Sequence, residues 1–142
     1  MRTTDTYLNF PGNTREAFEF YRSVFGGEFD GVLTYAELAG DGWNPPESDR
    51  DLIGHISLKI SDNTYLMGSD VSTAQRDAFR MGTNMYVNLN AESEEEARRL
   101  FEGLAAGGRV EMDLTSTSWA ALYGSLVDRF GVPWMVNLPH PR

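Results

Sequence analysis

The chain has 142 residues, 41% of them hydrophobic, no cysteine and a formal net charge of −9, which suits one domain over residues 1–142 with a substantial core. The lack of cysteine excludes disulfides, thiolate zinc sites, iron–sulfur clusters and a cysteine nucleophile, while the negative surface argues against nucleic acid as a partner. The apolar runs are too short to span a bilayer and no apolar signal region follows Met1-Arg2-Thr3-Thr4-Asp5, so the expectation is a soluble, cytoplasmic protein with no membrane partner.

In chain order, Thr4 to Phe10 has strand character, Pro11-Gly12-Asn13-Thr14 is a turn, and Arg15 to Phe25 carries Ala17, Phe18, Tyr21, Val24 and Phe25 at helical spacing before Gly26-Gly27 stop it. Strands are predicted at Val32 to Leu38, Leu52 to Ile60 and Thr64 to Ser69, with Gly40 to Pro46 as a Gly- and Pro-rich connector. The order then repeats. Asn84 to Leu89 reads as a strand and Ser93 to Ala106 as a helix ended by Gly107-Gly108. Strands follow at Arg109 to Thr115, Ala121 to Val127 and Pro133 to Leu138. The acidic run Glu92, Glu94, Glu95 and Glu96 is read as a solvated helix start favoured by the helix dipole. Register supports duplication: Ser57-Leu58 recurs as Ser125-Leu126, and Met67 as Met135, at one offset of 68 (125 − 57 and 135 − 67). The predicted class is α+β, with two βαβββ modules at about 4–70 and 83–138.

Alternation puts Ile56, Leu58 and Ile60 on one face of their strand and His55, Ser57 and Lys59 on the other. A two-residue turn would set Lys59 beside Leu66 under the helix and bury an unpaired ammonium. A three-residue turn, Ser61-Asp62-Asn63, pairs Leu58 with Leu66 and Ser57 with Met67, so apolar side chains share a face. The second register is therefore predicted. It leaves a mixed face of His55, Ser57, Lys59, Tyr65, Met67 and Ser69. In the duplicate the matching face carries Tyr123, Ser125, Met135 and Asn137, with Asn84, Tyr86 and Asn88 alternating onto the same side. Polar tips among aromatic and thioether surfaces suit a small-molecule cleft.

Phe18-Glu19-Phe20-Tyr21 before Phe25-Gly26-Gly27, His55 before Leu58, Leu66-Met67 and Ser69-Asp70 resemble the first half of PhnB-like proteins. Trp119, Tyr123-Gly124-Ser125-Leu126-Val127-Asp128, Phe130-Gly131 and Trp134-Met135 resemble that family's closing signature, with Arg129 standing where the family usually has Pro and Ala120 where Gly often follows the Trp. The family belongs to the glyoxalase/bleomycin resistance/dioxygenase, or vicinal oxygen chelate, superfamily. The resemblance implies a cup-shaped mixed sheet with helices on its outer face, and a homodimer. It also implies metal-ligand positions on the first and last strands of each module. Counting along the motifs places Thr6, Met67, Asn84 and Met135 there, a poor set for a hard divalent ion, so neither metal nor other cofactor is expected. An off-register pairing of His55 with Glu37 or Asp128 is the remaining route to a metal.

The sequence thus predicts a metal-independent small-molecule cleft lined by His55, Ser57, Met67, Asn84, Tyr86, Trp119, Tyr123 and Met135, with no catalytic residue assigned. The alternatives are a metal-dependent glyoxalase-type lyase, isomerase or dioxygenase, and a non-catalytic dimeric interaction module. PhnB-like proteins are also often catalogued as demethylubiquinone methyltransferases, but the chain carries no Gly-rich strand-to-helix loop followed by an acidic ribose ligand.

Overall fold

The computed structural model describes all residues, Met1–Arg142, and divides into two compact units, Met1–Arg80 and Met81–Arg142. In the first, β1 (Thr6–Phe10) leads to helix α1 (Thr14–Phe25), then β2 (Phe29–Thr34), the single helical turn α2 (Tyr35–Leu38), β3 (Ile53–Lys59) and β4 (Tyr65–Asp70). These strands form one sheet in the order β1-β4-β3-β2, with β1 parallel to β4 and the other pairs antiparallel. The second unit has β5 (Val87–Asn90), α3 (Glu94–Ala105), β6 (Arg109–Thr115), β7 (Leu122–Val127) and β8 (Pro133–Leu138), ordered β5-β8-β7-β6 with the same pattern of directions. Two βαβββ modules are therefore present.

Register follows from where the large apolar side chains can go. Leu58 pairs with Leu66 and Ser57 with Met67, so the three-residue turn is the one formed. Ile56, Leu58 and Leu66 are fully buried with Phe18 and Tyr21 of α1, which keeps Lys59 off the helix side. The same register recurs as Ser125 opposite Met135 and Leu126 opposite Trp134. Here Leu126, Trp134 and Val136 are buried on the side of α3, with Ala97 and Leu104.

Glycines let each helix approach its sheet. A Cβ at Gly68 would lie 2.8 Å from the ring of Phe18, and one at Gly124 would lie 2.7 Å from the ring of Phe101. Each helix thus rests an aromatic ring where a strand has no side chain.

Two differences from the predicted elements have local causes. Val32 to Leu38 is not one strand: β2 ends at Thr34, whose hydroxyl accepts from the Glu37 N–H at 3.2 Å while Glu37 accepts from the Thr34 N–H at 3.1 Å. That reciprocal capping box turns the chain into α2. The strand predicted from Asn84 begins only at Val87, opposite Trp134; in this register Tyr86 would face Pro133, which has no N–H to give the ladder. Between the first unit's helical turns, Gly40 and Trp43 exchange two backbone hydrogen bonds of 2.9 Å, closing the predicted connector into a tight loop.

Candidate functional site

Strand pairing defines the face of each sheet turned away from its helix. In the first unit Tyr7 stands beside Met67, Met67 beside Ser57, and Ser57 beside Gly31. The next row runs Asn9–Ser69 on β1 and β4 and continues with His55 and Leu33 on β3 and β2. Ser69 donates to the Asn9 amide oxygen at 3.2 Å, and the Tyr7 hydroxyl lies 3.5 Å from His55 Nδ1. His55, Ser57 and Met67 therefore share one face, as predicted.

Tyr7 was not in the predicted lining. Phe10 is fully buried, and alternation from it turns Leu8 and Thr6 toward the helix and Tyr7 and Asn9 away from it. Thr6 accordingly pairs with buried Leu66, so the counted ligand position is one residue off. The residue beside Met67 is Tyr7.

In the second unit the central row is Met112, Ser125, Met135 and Asn88, one residue from each strand. The following row holds Thr115, Tyr123, Asn137 and Asn90, with Asn137 donating to Asn90 at 3.0 Å. Tyr123 and Met135 thus lie on one face. Asn84 does not join them: it is exposed in the bend before β5, so the residue beside Met135 is Asn88.

Trp119 sits in the loop before β7 and packs against Tyr123, ring centroids 5.7 Å apart at 67°. The loop is fixed by the Ala120 N–H donating to the Thr117 hydroxyl at 3.1 Å and by the Thr117 N–H donating to the Ala120 carbonyl at 3.1 Å, while Ala120 itself is fully buried. Ala120 is not at positive φ, so the position does not require glycine. Trp119 remains 64% exposed, which leaves a large aromatic surface in water.

Tyr86, just before β5, donates to Glu111 Oε1 of β6 at 2.7 Å. The bond thus joins the residue preceding one edge strand, β5, to the other edge strand, β6. The hydrogen bond to Glu111, followed by desolvation, raises the Tyr86 hydroxyl above its ordinary value and keeps it a proton donor. Glu111 escaped the sequence reading because a bulge between Val110 and Met112 displaces it from simple alternation.

The metal positions offer each module one thioether and one neutral oxygen: Met67 with Tyr7, and Met135 with Asn88. That donor set does not fit a hard divalent cation. The off-register carboxylates are committed elsewhere. Glu37 serves the α2 capping box, and Asp128 accepts from Phe130 N, Val132 N and Trp134 Nε1 at 2.8, 3.0 and 2.8 Å. No group of three or more His, Asp or Glu is arranged to hold an ion.

Paired βαβββ modules with helices on one side of each sheet define the vicinal-oxygen-chelate class. A family model described as 3-demethylubiquinone-9 3-methyltransferase matches residues 2–137. Protein YjdN of Escherichia coli (strain K12) is 31% identical over 137 residues, covering 93% of this chain and 92% of that protein. Among solved structures, protein PA1353 from Pseudomonas aeruginosa is 38% identical with a TM-score of 0.80, covering 98% of both chains. A protein from Bacillus cereus described as a putative 3-demethylubiquinone-9 3-methyltransferase, PhnB protein, is 27% identical with a TM-score of 0.73, covering 96% of this chain and 98% of that one. The chain belongs to the family that this family model describes, to which the Bacillus cereus PhnB protein is also assigned by its description, and it shares its fold with proteins described as glyoxalase/bleomycin resistance protein/dioxygenase. No helix is long and apolar enough to cross a membrane.

Proposed function

We propose that this PhnB-like protein binds a small organic molecule on the helix-free sheet faces, without a metal at the family's ligand positions. The first unit's face offers His55, Ser57 and Met67, and the second unit's face by itself offers Tyr86, Trp119, Tyr123 and Met135, while Asn84, expected in the lining, stands in the bend before β5. The observation that carries this reading is Trp119, 64% exposed on a loop tied by hydrogen bonds and standing beside Tyr123. Leaving that ring in water forgoes roughly 2 kcal/mol of burial, so a ligand covering it gains a substantial apolar contact. Ser57 beside Met67 and Ser125 beside Met135 supply the same polar and thioether floor in both modules.

The test is a thermal-shift screen of small organic molecules, repeated on Trp119→Ala and Tyr123→Ala. Hits should lose most of their stabilisation in both variants. Hits that stabilise both variants as well as the parent remove the site assignment.

The matched family's description favours a second reading, methyl transfer. Its strand-to-helix turns here are Pro11-Gly12-Asn13 and Ala91-Glu92-Ser93, which lack the glycine pattern that cradles a nucleotide-like donor. Calorimetry with the nucleoside-type methyl donor decides between the readings: tight binding establishes the second. The family resemblance also supports a homodimer, for which light scattering should give twice the mass of the chain.

A further inference from the structure

We propose that the face of the second unit selects an organic cation, an ammonium carried on an aromatic or alkyl body, with Glu111 as its charge partner. This deepens the small-molecule reading above and rests on it. Three observations converge on one class of ligand.

First, Glu111 is an acidic side chain of edge strand β6 that accepts from Tyr86, the residue preceding the opposite edge strand β5 and alternating onto the same side as Asn88. Its side chain is only 29% exposed, so its charge acts in a medium less polar than bulk water. The partner that holds it, the Tyr86 phenol, is neutral and leaves the negative charge in place.

Second, its cationic neighbour is loosely held. Arg109 Nη1 lies 3.6 Å from Glu111 Oε2 and its side chain is 67% exposed, the kind of pair that contributes little and that an incoming cation can displace. Third, the floor and far end carry no charge. Met112, Ser125, Met135 and Asn88 run across the floor, and the Trp119–Tyr123 corner stands beyond them. The strand rows on either side of the floor are separated by roughly 14 Å, room for a ring with a short aminoalkyl arm. Such a molecule would stack its ring on Trp119 or a thioether and present its ammonium to Glu111.

The experiment uses three probes of one skeleton and different charge: phenethylammonium, 2-phenylethanol and phenylacetate. Each is titrated into the full chain while the indole N–H signals are followed by NMR. Trp119→Phe identifies the Trp119 signal. The buried Trp134 N–H, bonded to Asp128 at 2.8 Å, reports that each variant is folded.

The expected order is ammonium over alcohol over carboxylate, with the ammonium roughly tenfold tighter than the carboxylate. Glu111→Gln keeps an acceptor for Tyr86 but removes the charge, and should abolish the preference for ammonium over alcohol. Arg109→Gln should tighten ammonium binding roughly two- to threefold. Equal affinities for the three probes, or a cation preference that survives in Glu111→Gln, overturn the cation inference and leave the small-molecule face standing. No shift of Trp119 with any probe also overturns it. The face itself fails only through the separate screen, when hits ignore Trp119→Ala and Tyr123→Ala.

Discussion

Asp70 and Asp128 show how single buried carboxylates organise each unit around its candidate face. Asp70, 4% exposed, accepts from Thr14 N at 3.0 Å, Thr14 Oγ1 at 2.6 Å and Ile53 N at 2.8 Å. It thereby supplies the N-terminal contact that Asn13 does not make for α1 and places a negative charge at the positive end of that helix. Asp128, 3% exposed, holds the turn into β8 and the indole of fully buried Trp134. Replacing Asp128 with Ala leaves three donors to be satisfied in a closed space, and the expected loss is about 3 kcal/mol by urea unfolding. A loss under about 1 kcal/mol would show that water takes over those donors. Residues of this kind were hard to read from sequence, because an Asp in a turn motif looks the same whether its carboxylate faces solvent or a buried indole. The candidate lining divides the same way. Ser57, Met67, Tyr123 and Met135 were legible through strand alternation and the offset of the repeat. Thr6 and Asn84 were misplaced because they were counted along the motifs, whereas strand pairing sets Tyr7 beside Met67 and Asn88 beside Met135.

At the scale of elements, the sheet–helix contact in each unit depends on a glycine facing an aromatic ring. Gly124 has Phe101 at 2.7 Å and the backbone of Leu114 at 2.9 Å from the place a Cβ would occupy, so a methyl group there meets atoms that cannot swing aside. Gly124→Ala should cost about 1–3 kcal/mol through overpacking of α3 on β7. Chemical denaturation measures this, and Phe101→Leu in the same chain should recover part of the loss. An additive pair of effects would show that the ring is not the obstacle. The elements themselves were mostly legible: α1 and α3 declare themselves through a 3.6-residue periodicity ended by glycines, and β6 and β8 have the bounds that the sequence predicts. What misled was Val32 to Leu38, where an apolar run continues but a capping box at Thr34 and Glu37 redirects the backbone. Local side-chain bonding there outweighs the strand pattern.

For the whole molecule, 21 acidic residues against 12 basic ones make self-repulsion the leading electrostatic term near neutral pH. The surface ion pairs, such as Arg98–Glu94 at 2.8 Å and Arg22–Glu19 at 3.0 Å, are exposed and offset little of it. Screening should therefore raise the melting temperature between low salt and roughly 0.15 M NaCl, where the Debye length is about 8 Å. Acid works in two opposed directions. Protonating ordinary carboxylates reduces the repulsion as pH falls below neutrality. Asp49 is held below the usual carboxylate range, chiefly by the Thr73 hydroxyl, and Glu37 by the Thr34 backbone N–H. A carboxyl whose folded value is depressed contributes stability that is complete above its unfolded value, about 4 for these groups, and is lost as pH falls through the folded value. Relief of repulsion thus comes first and loss of these hydrogen-bonded anions second, which places the low-salt stability maximum at about pH 5 rather than 7. Melting curves from pH 7 to 3 check both parts. A midpoint falling steadily from pH 7 to 5 at low salt contradicts the repulsion argument. In Asp49→Asn, the decline below about pH 4 should be shallower than in the parent chain.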